Sequence, residues 1–523
     1  MKSPWIRFSC QIALLTLVCL LQSGWKSPAD DAPGKPNIVF ILTDDLGWSD
    51  LSCYGSEYYE TPHLDRLAGE GMRFTDAYAA CPVCSPSRAG ILTGRYPARL
   101  HLTDYLPGRA NDRASRLLSP QIRQSLPLEE ITIAEALKSA GYATACIGKW
   151  HLSADPQHVA EQGFDVVVGS HLGQTVRNFY FSPYGMPNLA DGPPGEYLTD
   201  RLTAEAVKFI EDHQKQPFFL YLSHYAVHSP LQAKKEDIEK WRRKVAQLRT
   251  PAGPNFLLEP NPDEPGAAAR ALARSDSPDD SLTRRMTKVR QVQDSPVMAS
   301  MLQSLDEGVG RLLSKLEELG LANKTVVVFT SDNGGLVSQR QPTADFQGTA
   351  SLPLRGGKGW LYEGGVRVPL IVRWPGKVRA GCASDQVVMS TDFYPTILEM
   401  GGLSIPKDRV LDGVSLVPVL RGKGSLNRAA VFWHWPHYSN HGRQSPGGAI
   451  RAGDYKLIEY FENGTLQLFN LRADTGEKND LATKIPEKAN ELRGMLQQWR
   501  RSVDAQMPTP NPAYKQANQE RAP

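Results

Sequence analysis

The sequence predicts an α/β fold: a large, mainly parallel sheet sandwiched by helices, with a small antiparallel sheet and a helix after it. Three observations predict it. Five apolar runs lack the alternation of a half-solvated strand, which is how strands covered on both faces read. Helical patterns lie between them, as layered α/β folds require. After about residue 425 the pattern changes to short strands flanking an Asn-Gly turn.

In chain order, the apolar runs are Ile38 to Leu42, Ala143 to Ile147, Phe218 to Leu222, Val326 to Phe329 and Leu370 to Val372. Between the first two, Thr132-Ile133-Ala134-Glu135 has capping-box spacing, and Gly141 closes that helix. From Ser295 onward, Leu302, Leu305, Val309, Leu312, Leu313 and Leu316 form one apolar helical face that ends near Gly320. The segment from about Lys234 to Asp294 is rich in charge, Pro and Ala, and reads as a surface excursion with some helix. Near the C-terminus, Asp454 to Tyr460 and Leu466 to Phe469 flank Asn463-Gly464 as a hairpin, with a helix from Pro486 to Val503 beyond. The implied division is 1–24 as an export signal, 35–425 as the main domain, 426–504 as a small α+β subdomain and 505–523 as a polar tail. No internal repeat is evident.

A chain of 523 residues with 41% hydrophobic content can bury a large core. The net charge of +3, without a block of like charges, excludes a nucleic-acid or membrane-surface partner as the expected one. Lys2 and Arg7 precede the apolar run Ile12 to Leu21, and Gln22, Ser23 and Gly24 follow it, the layout of a secretory signal. The run is too short to span a bilayer comfortably. Export to a periplasm or the exterior is expected, with an uncleaved anchor as the alternative. Cys10 and Cys19 would leave with the signal, and Cys53, Cys81, Cys84, Cys146 and Cys382 would remain. Five is odd, so one thiol lacks a partner and is a candidate for chemistry. Cys146, inside an apolar run, reads as a buried thiol.

Ligands of doubly wound sheets sit beyond the carboxyl ends of the strands. The polar residues that follow four of the runs are Asp44-Asp45, then Lys149 and His151, then His224 and His228, then Asp332-Asn333-Gly334-Gly335. Brought together, Asp44, Asp45, Asp332 and the amide oxygen of Asn333 make a hard-oxygen site suited to Ca²⁺ or Mg²⁺. Either pair alone also reads as an ordinary strand-ending turn. His224 reads either as a site residue or as a packed, hydrogen-bonded one. The most specific segment runs from Cys84-Ser85-Pro86-Ser87-Arg88 to Leu92-Thr93-Gly94-Arg95. It sets a thiol beside a proline turn at the start of a helix rich in small residues, near Arg88, where a thiol pKa would be lowered. On that reading alone Cys84 is a nucleophile, a disulfide partner of Cys81, or a packing residue.

The segment resembles in full the signature of the sulfatase family, Cys-x-Pro-x-Arg followed by Leu-Thr-Gly-Arg. Asn37 to Phe40 running into Asp44-Asp45-Leu46-Gly47 is similar to the family's opening strand and metal pair. Gly148-Lys149-Trp150-His151-Leu152 resembles its Lys-x-His element, and His228-Ser229-Pro230 its third catalytic element. Asp332-Asn333-Gly334-Gly335 resembles its second metal pair, and Gly357-Lys358-Gly359 with Glu363 to Arg367 its final lysine segment. The resemblance spans nearly the whole mature chain and implies an alkaline-phosphatase-like α/β fold with a large mixed sheet, residues 35–425 being the catalytic domain.

It also implies that a formylglycine-generating enzyme converts Cys84 to formylglycine (3-oxoalanine), whose hydrated aldehyde is the nucleophile. Ca²⁺, with Mg²⁺ as the other choice, would be held by Asp44, Asp45, Asp332, Asn333 and an oxygen at position 84. Lys149 and Lys358 would bring positive charge to the sulfate, and Arg88 would fix the hydrate by a charge-assisted hydrogen bond. His228 would protonate the leaving alcohol and His151 would act as the base that regenerates the aldehyde. The expected activity is arylsulfatase-like hydrolysis of sulfate esters on a small molecule or carbohydrate. The alternatives are a phosphodiesterase or phosphonate monoester hydrolase of the same superfamily, or a non-catalytic secreted binding protein. Specificity is expected in the loops 105–125, 170–195, 235–290 and 433–445. The last includes Trp433 to Tyr438, His441 and Arg443, which suits either a carbohydrate or aryl ring or interdomain packing.

Overall fold

Every residue of Asn37–Thr43 is buried, which is why this run shows no polar alternation. It lies inside an eight-stranded sheet ordered Cys382–Ser384, Met72–Phe74, Leu370–Arg373, Thr325–Ser331, Asn37–Thr43, Phe218–Ser223, Ala143–Gly148, Val166–Val168. This computed structural model describes residues 34–113, 115–170, 180–247, 255–260, 271–272, 286–338, 346–442 and 444–514. The signal expected over 1–24, the last nine residues of the expected tail, Arg443 and parts of the loops at 170–195 and 235–290 lie outside the described residues.

Alternate residues of the central strand face opposite layers, as period-two geometry requires. Val39 and Ile41 meet the helices Leu198–Asp212 and Pro296–Glu318, whereas Ile38, Phe40 and Leu42 meet the layer containing Cys84–Thr93, Ile133–Ser139 and Phe393–Met400. The predicted helix ends are found. The Thr132 hydroxyl accepts from Glu135 N while the Glu135 carboxylate accepts from Thr132 N, a complete capping box. Ser295 caps the long helix by accepting from Met298 N at 3.2 Å, with Pro296 at its first position.

The strand register sets up the site. Thr43 pairs with Ser331, Leu42 with Ser223, and Gly148 with Ser223, all in parallel. Four strands therefore end nearly level, and the residues that follow them emerge side by side.

One strand differs from the expected parallel set: Leu370–Arg373 runs antiparallel to Thr325–Ser331, so the sheet is mixed. Met72–Phe74, Val166–Val168 and Cys382–Ser384 were not legible as strands. Each has three residues, too few to show a period. The excursion carries the helix Lys235–Gln247, and Met286–Arg290, Phe256–Pro260 and Ala271–Leu272 form a three-stranded sheet there. At the C-terminus, Val431–Trp435, Gly447–Ala452, Tyr455–Tyr460 and Leu466–Asn470 form the antiparallel sheet, packed on Pro486–Ser502. Part of the segment expected as a polar tail is structural, because Thr509–Pro510 pairs with Leu117–Leu118.

Candidate active site

The site is built where those strands stop. Asp332 N donates to Thr43 O at 3.1 Å and Asp45 N to the Asp332 carboxylate at 3.3 Å, so the two acidic turns are tied backbone to side chain. Gly148 has φ +98, and a Cβ there would collide with Ser223 O; its absence lets Lys149 N donate to that carbonyl at 2.7 Å. Asp45 and His151 hold left-handed backbone at φ 61 and 58. Such conformations cost on the order of 1–3 kcal/mol each and collect at functional sites.

Cys84 is the first residue of the helix Cys84–Thr93, and every residue of that helix is buried. Its thiol donates to Asp44 Oδ1 at 3.4 Å. Lys149 Nζ is 2.5 Å from Asp44 Oδ2, and Lys358 Nζ is 2.8 Å from Asp45. His228 Nε2 lies 3.7 Å from Asp45 Oδ2. Candidate ligand atoms of Asp44, Asp45, Cys84 and His228 all lie within 4.8 Å of one another. Asn333 Nδ2 donates to Asp45 Oδ1 at 2.8 Å, which leaves its Oδ1 buried with no partner.

Arg88 is 0% exposed and faces Asp332: its Nε is 2.8 Å from Asp332 Oδ2. Its Nη1 donates to Lys149 O at 3.0 Å and to the Ser223 hydroxyl at 2.6 Å. Two expectations change here. The guanidinium is committed to Asp332, not to the thiol. The thiol pKa is raised, not lowered, because burial and then Asp44 outweigh Lys149 and Lys358. The disulfide alternative also falls, since Cys53, Cys81, Cys84, Cys146 and Cys382 are all free.

The carboxylates divide by partner. Burial pushes Asp44 up, but Lys149, His228, Arg88 and Lys358 together hold it well below its usual value. Asp45 is likewise lowered against its burial, chiefly by Lys358. Asp332 is raised to about 6, by burial and then by Asp44. His228 is lowered to about 4 by burial and Lys358, and His151 well below its usual value by burial and Lys149. Their tautomers follow from carbonyl partners, which only accept. His151 Nε2 donates to Leu106 O at 2.9 Å, leaving its buried Nδ1 as an unpartnered lone pair. His228 Nδ1 donates to Ser229 O, leaving Nε2 toward Asp45.

These donors fit a hard divalent cation. Three crowded carboxylates and an amide oxygen without a donor are its natural ligands, and Asp332 is held by burial and then by Asp44 in the range where a cation would replace a proton. Asp44, Asp45 and Asp332 balance Lys149, Lys358 and Arg88 in charge, so an added cation leaves net positive charge for an anion.

Two candidates left open by the sequence resolve away from the site. His224 is buried, and the charge that acts on it is Arg311 of the long helix, not a site group. Trp433 packs on Tyr78 and donates to Ala79 O, so it joins the C-terminal sheet to the segment that precedes Cys84. One neighbour was missed. Ser223 receives Arg88, and its signal was its place as the last residue of a strand. His441, from the candidate cluster at 433–445, feels Lys358, Asp45 and His228 and is lowered to about 3, first of all by burial.

A family model described as Sulfatase matches residues 36–403, and one described as N-sulphoglucosamine sulphohydrolase, C-terminal, matches residues 357–502. The chain is 32% identical to the Mus musculus steryl-sulfatase over 499 residues, covering 80% of this chain and 70% of that one. It is 31% identical to the Homo sapiens N-acetylgalactosamine-6-sulfatase over 532 residues, covering 92% and 89%. Among solved structures, Ps i-CgsB superposes with a TM-score of 0.68 at 29% identity, covering 90% of this chain and 94% of that one. The same protein has been solved in complex with k-i-k-neocarrahexaose.

Proposed function

The chain belongs to the sulfatase family as a type I sulfatase of the alkaline phosphatase superfamily, and from that premise we propose that it hydrolyses sulfated carbohydrates at Cys84 matured to formylglycine. The observation that carries the reading is the buried Cys84 at a helix start, 3.4 Å from Asp44, with Lys149 and Lys358 each paired to one of the adjoining carboxylates.

In this reading Asp44, Asp45, Asp332 and Asn333 hold the cation, with calcium as the expected ion. When bound, it supplies Lewis acidity toward oxygen, and matured Cys84 supplies the nucleophilic oxygen. The chain's own groups do the rest. An ammonium has three donors, so Lys149 and Lys358 can bind sulfate oxygens while each keeps its carboxylate. Their charge stabilises negative charge as it develops on the transferring group. Arg88 acts as a positioning residue through Asp332. His151 takes a proton at Nδ1, because Nε2 is occupied by Leu106 O. His228 exchanges a proton at Nε2 with the leaving alcohol. Its low pKa means that the bound anion must raise it before it can act as an acid.

Residues 35–425 act as the catalytic domain, 426–504 as the C-terminal subdomain, and 1–24 as a signal that exports the chain to a periplasm or the exterior. No helix among the described residues is long and apolar enough to cross a membrane. The test is sulfate release from a panel of sulfated sugars by protein co-produced with a formylglycine-generating enzyme, beside Cys84→Ala. Turnover only by the matured wild type supports the reading. Equal turnover by Cys84→Ala contradicts it.

A further inference from the structure

A polar cavity of about 510 Å³ adjoins the site, lined by residues that include Arg109, Asn111, Asp112, Tyr438, Ser439 and Asn440. This volume falls within the usual range of small-molecule pockets. Both of its walls are tied to the residues around Cys84 and Lys358. On one side Leu106, three residues before Arg109, donates its N–H to the Ser85 hydroxyl at 3.0 Å and accepts from His151. On the other, Gly359, next to Lys358, sits at φ +80 against the Ser439 hydroxyl, where any Cβ would collide. The two walls also meet each other, Asn440 Nδ2 donating to the Tyr105 hydroxyl at 3.2 Å.

The wall is held firmly. The Asn511 side chain donates to the carbonyls of Asp112, Arg113 and Ser115 at 3.1, 3.4 and 2.7 Å, and Asn511 N donates to Arg116 O at 2.9 Å. Tyr438 OH accepts from Leu117 N at 3.0 Å and donates to Glu462. Hydroxyls and amides around one phenol suit the donors and acceptors of a sugar. Arg109 is the cation among the lining residues. Its Nε is buried without a hydrogen-bond partner, and its guanidinium stands over the Tyr105 ring at 5.7 Å. The carboxylates near it are Asp112 on the wall and buried Asp104, whose charge it favours without a contact at ion-pair distance among the described residues.

We propose that this cavity receives the leaving alcohol and that Arg109 reads a second anionic group there, so that the preferred substrate is a sulfated carbohydrate bearing a further sulfate or a carboxylate. This rests on the sulfatase reading and names its substrate class. The fork of a guanidinium matches either oxyanion.

The test compares kcat/KM for a neutral monosulfated sugar, the same sugar with a second sulfate, and a monosulfated disaccharide containing a uronate. Matured wild type, Arg109→Gln and Arg109→Lys are measured, with thermal melting of each. The ratio of doubly to singly anionic substrate should fall about tenfold to a hundredfold in Arg109→Gln, as loss of one charged hydrogen-bonding group implies. Arg109→Lys should recover part of it, because charge is kept without the fork. Whichever of the two substrates shows the drop identifies the second anion. A ratio equal in wild type and both variants, with every substrate turned over, overturns the proposal and makes Arg109 a support for Asp104. No sulfate release from any substrate by the matured wild type would instead sink the sulfatase reading, and this inference with it.

Discussion

Replacing Arg88 with alanine separates a positioning role from a direct one. The guanidinium is fully buried, with Nε and Nη2 each 2.8 Å from Asp332 and Nη1 bonded to Ser223 and the carbonyl of Lys149. Removing it leaves a buried carboxylate without its main counter-charge, a loss of roughly 3–5 kcal/mol for a broken buried pair. The orphaned carbonyl and hydroxyl add about 1 kcal/mol each. A total of about 5–7 kcal/mol follows, with no discount for solvent, because neither partner is exposed. Asp332, already raised to about 6, loses the largest influence holding it down and takes up a proton near neutral pH. A protonated ligand binds a cation poorly, so metal affinity should fall together with stability. Denaturant unfolding of metal-stripped wild type, Arg88→Ala and Arg88→Lys measures the first effect, and calcium titration the second. Arg88→Lys should recover only part of the loss, lacking the fork. A loss below about 1 kcal/mol in Arg88→Ala, with calcium affinity intact, would refute the reasoning.

Three further outcomes are expected. Asp332→Ala should weaken calcium binding and nearly abolish turnover, since carboxylates dominate affinity for hard cations; full activity after exhaustive chelation would show the site to be misread. His228→Ala should steepen the dependence of kcat/KM on leaving-group pKa, costing roughly 10²–10⁴ on sugar alcohols and much less on activated phenols; an unchanged slope would assign the proton to another group. Asp50 is buried beside Thr349, Gly47 and Gln293, and burial raises it to about 6. The folded state then keeps a proton that the unfolded chain loses, so stability is fully present below about 4 and declines as pH rises through about 6. Asp50→Asn should remove about 3 kcal/mol of that decline, read by urea unfolding at either end of the window; an identical slope in the variant would exclude Asp50 as its source.

Much of the site was legible because strand ends are. Asp44, Lys149 and Asp332 each follow a fully apolar run, and parallel register does the rest: pairing Thr43 with Ser331 and Gly148 with Ser223 forces those residues to one rim. Cys84 was legible as a helix start, but its ionisation was not. A nearby Arg88 in sequence says nothing about which acid it faces, and the pairing with Asp332 comes from strands 244 positions away. His441 was legible as part of the 433–445 cluster, but its nearness to the charges of Lys358 and Asp45 was not, because it arrives from beyond the main sheet. The antiparallel sense of Leu370–Arg373 was hidden because a buried run reads alike in either direction. Thr509–Pro510 was hidden because a two-residue strand has no period.

The central claim is that Cys84 is a modified nucleophile, and peptide mass spectrometry on active protein tests it most directly. The peptide spanning Cys84 and Arg88 should carry an aldehyde in place of the thiol, in a fraction that rises in proportion to specific activity as maturation is increased. Fully active protein whose Cys84 peptide remains an unmodified thiol would contradict the account.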